Sequence, residues 1–202
     1  TRCCSSAASD VYKRQVHTPI EETLEALHDA VKEGKVLYLG GSSMFAWQFA
    51  ELQLTAKMNN WTPFVSMQNH HNLVYREEER EMNPYCASTG VALTPWSPLA
   101  RGILAGSYHG GFSGGSTSRS QGQDRKRTEG LYQGDHVFPI AERVIETASK
   151  YECTPAQIAV AWLKGRPGVT SPIVGVSKVS QLEDLVAAAA IELATEDVDY
   201  LE

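Results

Sequence analysis

The 202-residue chain lacks the features that would direct it to a membrane, a nucleic acid or an oxidising compartment. No run of about 18 consecutive apolar residues occurs, so nothing in it reads as a bilayer-spanning helix. Positive charge is in deficit: 18 Lys and Arg stand against 24 Asp and Glu, a net charge of −6. That balance argues against a general nucleic-acid or anionic-membrane surface. Cysteine is scarce. Cys3 and Cys4 are adjacent, Cys86 and Cys153 are isolated, and no CxxC spacing exists. Neither a zinc site nor a disulfide framework is indicated, so a reduced, cytoplasmic chain is the expectation. A His70–His71 pair offers two imidazoles, but neighbours on a strand face opposite ways and no third ligand is in view, so no metal is expected.

Periodicity is missing from the first fifteen residues. Thr1 to Gln15 is small, polar and basic, without the apolar run of a secretory presequence. Residues 1–15 read as a non-native or disordered tail, with a genuine flexible arm as the alternative. The fold is placed in residues 16–202, long enough for one sizeable domain.

What is present is a succession of capped helices and short apolar strands. Thr18-Pro19-Ile20-Glu21 carries an N-cap, a first-turn proline and a capping-box glutamate. Ile20, Leu24, Leu27 and Val31 follow on one helical face, and Gly34 stops the helix. Val36-Leu37-Tyr38-Leu39 reads as a buried strand running into Gly40-Gly41-Ser42-Ser43. There the glycines either admit a ligand to the backbone or make a plain strand-to-helix turn capped by Ser43. Phe45 to Asn60 is the next helix, with Phe45, Phe49, Leu52 and Ala56 toward the core. Phe64 to Gln68 is a strand, and Gln68 can bond a carboxamide or tie down its own loop. The charge run Arg76 to Glu81 opens a helix to Ser88 that Gly90 closes.

Val91-Ala92-Leu93 is a third strand, leading into Thr94-Pro95-Trp96-Ser97-Pro98-Leu99-Ala100-Arg101-Gly102. From Gly106 to about His136 the chain is rich in Gly, Ser, Gln and Arg, as a lid or a solvated loop would be; Arg119, Arg125, Lys126 and Arg127 lie there. Ile140 to Glu152 is amphipathic. Thr154-Pro155-Ala156-Gln157 repeats the capping-box pattern and opens a helix through Leu163, broken at Pro167 and Gly168. Ser171 to Val176 reads as a fourth buried strand. A helix from about Val179 runs through Gln181 and Asp184 to Ala190, and Thr195 caps a last one.

Strands that each lead into a helix imply right-handed βαβ units and a parallel sheet. In such folds ligands gather beyond the strand C-termini. Ser42, Gln68, Trp96 and the Gly175–Ser177 turn all fall there. Trp96 offers a face for a planar ring, Pro95 and Pro98 stiffen the loop, and Ser97 with the following amides could hold phosphate oxygens. Arg101 adds a fixed charge. A buried Trp at a barrel rim beside a surface Arg is the other reading of the same residues.

The sequence resembles the aldo-keto reductases, in the branch that includes the potassium-channel β subunits and related bacterial reductases. The resemblance is carried by Thr18-Pro-Ile-Glu-Glu-Thr-Leu-Glu-Ala-Leu, Gly34-Lys-Val-Leu-Tyr-Leu-Gly-Gly-Ser-Ser, Val65-Ser-Met-Gln-Asn, Pro95-Trp-Ser-Pro-Leu-Ala-Arg-Gly and Pro172-Ile-Val-Gly-Val. It implies an α/β fold of the (β/α)8 TIM-barrel family, here a partial barrel with about four parallel strands and surrounding helices. It also implies NADPH-dependent reduction of aldehydes and ketones, with a small carbonyl compound as substrate.

On that resemblance Ser42 and Gln68 would bond the nicotinamide carboxamide and Trp96 would stack on the ring. Ser97, Leu99 and Arg101 would line the pyrophosphate path. Gly175, Ser177 and Gln181 would hold the adenosine end, with Ser177 at the 2′-phosphate and Asp184 near the adenine. Arg119 would belong to the loop over the cofactor. Leu185 stands where the family often has Asn.

The family's catalytic Asp, Tyr, Lys and His precede the Thr18–Pro19 helix. Tyr12-Lys13 lies in the tail and His17 is too close to the helix, so no catalytic residue is assigned. The expectation is a fragment, inactive alone, with open sheet edges that favour self-association or a homo-oligomer. The alternatives are a nucleotide-sensing regulatory subunit with little turnover, or a non-functional truncated product.

Overall fold

The computed structural model describes residues 18–108, 110–115 and 122–202. They fall into two compact units: one ends at His70 and resumes over Glu78–Thr94, the other comprises His71–Glu77 and Pro95–Glu202.

In the first unit the order is α1 (Ile20–Lys32), β1 (Leu39–Ser42), α2 (Ala46–Met58), β2 (Phe64–Gln68), α3 (Met82–Thr89) and β3 (Ala92–Leu93). The strands make one parallel sheet in the order β1-β2-β3. Helix α1 buries Leu24, with Ile20, Leu27 and Val31 half-buried on the same face. It starts one residue later than expected. Pro19, which has no capping side chain, is the N-cap, and Thr18 lies outside. Gly34 takes φ 72°, the left-handed turn past a helix end that glycine adopts without strain.

Two side chains stitch α1 and α2 to the sheet layer. His28 Nδ1 accepts from the Thr62 amide at 3.1 Å and lies 2.9 Å from Thr62 Oγ1. The Gln53 amide pairs with the Phe64 backbone in both directions, at 2.8 and 2.9 Å.

Strand β1 departs from expectation. Leu37 and Tyr38 are exposed, and the strand runs instead through Gly40, Gly41 and Ser42. The reason is packing. A Cβ on Gly40 would stand 2.6 Å from Ser66 Oγ, and one on Gly41 would stand 2.9 Å from both Met67 Cε and Phe49 Cε2. The glycines therefore admit protein atoms, not a ligand. The register slips between Leu39↔Phe64 and Gly40↔Ser66, leaving Val65 unpaired as in a bulge. Phe45 is also exposed: it is the N-cap of α2, where its amide donates to Gln48 Oε1 at 3.1 Å, while Phe49, Leu52 and Ala56 form the core face. The charge run forms a 3-10 turn over Glu77–Glu79 before α3 begins.

The second unit contains a kinked 3-10 stretch (Ala100–Ala105), a 3-10 turn (Phe112–Gly114), α4 (Gly122–Leu131), α5 (Val137–Lys150), α6 (Pro155–Lys164), α7 (Val179–Ala187), a 3-10 turn (Ala188–Ala190) and α8 (Thr195–Leu201). Its core gathers Leu73, Ile103, Leu104, Tyr132, Val144, Ile158, Trp162 and Leu201. The α6 capping box is as expected: Thr154 Oγ1 accepts from the Gln157 amide at 3.2 Å, and Gln157 Oε1 accepts from the Thr154 amide at 3.0 Å. Helix α8 is capped by Ala194, with Thr195 its first residue.

The expected fourth strand reduces to one parallel bridge, Trp96↔Ile173, with Ile173 N donating to Pro95 O at 2.8 Å. Pro95, Pro98 and Pro172 lack the N–H groups a longer ladder needs. Conversely, the expected loop contains a helix. The sequence of α4 is polar, and an Arg125–Glu129 ion pair of 2.7 Å at i,i+4 spacing supports it, while Lys126 and Arg127 stay exposed.

Candidate functional site

In the first unit Ser42 and Gln68 end adjacent parallel strands and are register partners. The structure thus brings together two groups expected to serve one ligand. Ser42 is buried and Gln68 is half-buried. The turn beyond them is pinned by Ser43 N donating to Gln68 O at 3.1 Å, with Ser43 at φ 36°. A hydroxyl and a neutral amide side by side can offer both donors and acceptors to a carboxamide.

In the second unit Trp96 lies beside Ile173, two residues before Gly175, so the aromatic loop and the Gly175–Ser177 turn share a neighbourhood. Ser97 O accepts from Asn72 Nδ2 at 2.9 Å, and Ser97 Oγ lies 3.1 Å from the Tyr132 hydroxyl. Burial pushes the Tyr132 phenol above its ordinary range, against its contacts with Ser97 and Asn72, which pull it down. Leu99 packs against two apolar clusters, one of them Val160, Leu185 and Ala188. Arg101 reaches α4: Nε donates to Thr128 Oγ1 at 3.1 Å and Nη2 pairs with Asp124 Oδ1 at 2.7 Å.

Asn72, Asp124 and Tyr132 were not singled out from sequence as site residues. The one local signal for Tyr132 is an aromatic residue at the end of a hydrophilic run.

At the start of α7, the Ser177 and Lys178 amides donate to Gln181 Oε1 at 2.9 and 3.3 Å, and Ser177 Oγ lies 3.2 Å from the same atom. Gln181 thereby caps α7 and organises Ser177. Asp184 joins α6 to α7: its carboxylate accepts from Thr154 Oγ1 at 3.0 Å, and its carbonyl accepts from Gln157 Nε2 at 2.9 Å. Leu185, where the resembling family often has Asn, is a core residue. Arg119, Tyr12, Lys13 and His17 lie outside the described residues. Among the described residues no three His, Cys, Asp or Glu side chains cluster as a metal site, and no helix is long and apolar enough to cross a membrane.

Trp96 is half-buried, and the Arg101 cation is paired with Asp124. A Cβ on Gly175 would meet no protein atom within 4 Å. Gly175 is exposed.

A three-stranded parallel sheet with helices between its strands makes this an α/β protein. The chain belongs to the aldo/keto reductase family, whose sequence profile matches residues 11–202. The family is one of (β/α)8-barrel oxidoreductases that use nicotinamide cofactors. The chain is 46% identical over 192 residues to a Schizosaccharomyces pombe protein named as an aryl-alcohol dehydrogenase, covering 95% of this chain and 53% of the relative. It is 45% identical over 192 residues to an aldo-keto reductase of Alternaria alternata, covering 95% and 50%. It is 40% identical over 199 residues to the versiconal hemiacetal acetate reductase of Aspergillus parasiticus, covering 95% and 55%. The chain spans about half the length of the curated relatives it matches.

Proposed function

We propose that this chain is the NADPH-holding part of a reductase of aldehydes or ketones. Ser42 and Gln68 bond the carboxamide, and Trp96 supports the nicotinamide ring. Ser97, Leu99 and Arg101 flank the pyrophosphate, and Gly175, Ser177, Gln181 and Asp184 flank the adenosine end. When bound, NADPH supplies hydride to a carbonyl carbon. The chain's own contribution is to fix the ring's face and orientation; no proton donor is assigned within it, and the chain by itself turns over no carbonyl.

The observation that carries this reading is the register pairing of Ser42 with Gln68 at two strand tips in a member of this family. A carboxamide needs a donor and an acceptor at fixed separation, and two paired strands hold them so. Preference for NADPH over NADH is assigned to Ser177, near the N-terminus of α7, where amides can meet a phosphate once Gln181 yields them.

NADPH titration followed by tryptophan fluorescence tests the proposal. Saturable quenching that S42A and Q68A each weaken about fivefold or more supports it, a loss on the scale of one hydrogen bond. Absence of saturable binding, or quenching indifferent to both substitutions, refutes it. A regulatory subunit that senses nucleotide would bind equally well. It is separated by assaying aldehyde reduction with the full-length gene product: a protein that binds and does not turn over is the sensor.

A further inference from the structure

We propose that Tyr132, backed by Asn72, is a positioning residue that presents the Ser97 hydroxyl as a proton donor to the pyrophosphate of the bound nucleotide; this rests on the cofactor reading above. The three side chains form a hydrogen-bonded chain. Asn72 Nδ2 donates to the Tyr132 hydroxyl oxygen at 3.2 Å, and that oxygen lies 3.1 Å from Ser97 Oγ. An amide N–H can only donate, so the tyrosine oxygen receives it as an acceptor. Either hydroxyl can donate across the 3.1 Å Tyr132–Ser97 contact; with a pyrophosphate oxygen beside Ser97, the phenol gives its proton to Ser97 Oγ and the serine proton goes to the phosphate. Burial raises the Tyr132 phenol above its ordinary range, so it keeps a proton to donate at neutral pH.

The same Asn72 nitrogen also donates to the Ser97 carbonyl at 2.9 Å, gripping the residue's backbone as well as its side-chain partner. Asn72 is itself fixed, because its Oδ1 accepts from the Val74 amide at 3.1 Å. Asn72 is 0% and Tyr132 2% exposed, so water does not compete with these bonds.

The backbone supplies an independent observation. Ser97 is held at φ 59°, a left-handed conformation that a serine adopts only when its surroundings insist. Past it, Leu99 at φ −96° is followed by Ala100 at φ 47°. Within this turn Ala100 N donates to Ser97 O at 3.0 Å, so the carbonyl that Asn72 grips is also held by the turn itself.

The test compares the parent chain with Y132F, S97A and the double variant, titrating NADPH, ADP-ribose and adenosine 2′-monophosphate by calorimetry. Phenylalanine keeps the buried ring, and thermal melts check that the fold is intact. NADPH and ADP-ribose carry a pyrophosphate and adenosine 2′-monophosphate does not. The expected result is that Y132F weakens the first two about tenfold and leaves the third unchanged, on the scale of one charge-assisted hydrogen bond. The double variant should bind no more weakly than S97A, because the tyrosine acts through that hydroxyl. Three results overturn the proposal: unchanged NADPH affinity in Y132F, equal weakening of all three ligands, or additive losses in the double variant. A parent chain that binds no NADPH removes the cofactor reading and this proposal with it, whereas a parent that binds while Y132F matches it removes this proposal alone.

Discussion

Gly41→Ala discriminates between two meanings of the Gly40-Gly41 pair. If the glycines admit a ligand, alanine leaves stability alone and damages binding. If they admit Phe49 and Met67, alanine damages stability first. The added Cβ stands 2.9 Å from Met67 Cε and from Phe49 Cε2, and 3.3 Å from Phe49 Cδ2. Carbon atoms pack at about 3.5–4.0 Å, so roughly 0.6 Å must be found. Met67 has a flexible terminal methyl to move. Phe49 does not: it is fully buried, with its ring centroid 5.8 Å from that of Phe64 and 6.0 Å from that of Tyr85.

Overpacking of this kind costs about 1–3 kcal/mol. Against it, replacing glycine returns about 0.4–1 kcal/mol from the less free unfolded chain. The net loss centres on about 1.3 kcal/mol, which for a chain of this size lowers the melting temperature by about 3–5 °C. Urea denaturation with an unchanged m-value reads it directly. Adding F49L to G41A should recover part of the loss, a coupling of about 1 kcal/mol between touching residues. A G41A variant within about 0.5 kcal/mol of the parent, the ordinary range for a substitution with no packing consequence, refutes the packing account.

Four further outcomes are expected. The Asp197 carboxyl is held below its ordinary range by its hydrogen bonds from Lys150 and Tyr151. Its stabilisation is therefore present above the unfolded value of about 3.9 and is lost as pH falls through the folded value. The stability gap between the parent and D197N should stay level from pH 5 to 9 in urea titrations and close below about pH 4; a gap unchanged at pH 2 contradicts this. E202Q should cost about 1–2 kcal/mol by denaturation, because Glu202 accepts from Arg166 at 2.6 Å and from Arg76 at 2.9 Å while both guanidiniums flank Trp162; no change would mean that the pairs are solvated. D124N should shift stability by less than about 1 kcal/mol, since that pair is partly exposed, and should tighten NADPH binding by freeing Arg101; weaker binding would place Arg101 elsewhere. The exposed Leu37, Tyr38, Phe45, Trp47 and Met58 should make the isolated chain self-associate with concentration in sedimentation; a monomer at every concentration refutes that.

Local chemistry was legible in the sequence. The Thr154–Gln157 capping box and the left-handed glycines at 34 and 90 involve residues within a turn of one another, so the sequence alone specifies them. Strand β2 was read with its true bounds because its apolar run is flanked by clear breaks. The sequence leaves Gly40 and Gly41 open between a ligand and a plain turn, because the atoms they admit, of Ser66 beside Gly40 and of Phe49 and Met67 beside Gly41, come from β2 and α2. The ladder at Ile173 was overcounted because prolines on both sides remove donors, which an apolar run does not reveal. Helix α4 was hidden by its polarity. The Asn72–Tyr132 bond joins residues 60 positions apart, and no pattern in either neighbourhood names the other.

Backbone strain marks the candidate site more sharply than side-chain type does. Among the described residues the non-glycine positions with positive φ are Ser43, Asn60, Ser97, Ala100, Arg101 and Glu152. Asn60 and Glu152 each lie two residues beyond a helix end, at Met58 and Lys150, where a left-handed residue is the ordinary way to stop a helix. Ser43 ends no helix, because it follows a strand. Ser97 does not end one either, and Ala100 and Arg101 sit within the kinked 3-10 stretch that follows it. These four fall in the two segments, after β1 and after Trp96, that the sequence assigns to ligand binding on other grounds. Left-handed serine, alanine and arginine each cost free energy that a glycine would not. Glycine would relieve the strain but would remove the Ser97 hydroxyl and the Arg101 cation, the groups that a bound dinucleotide would meet.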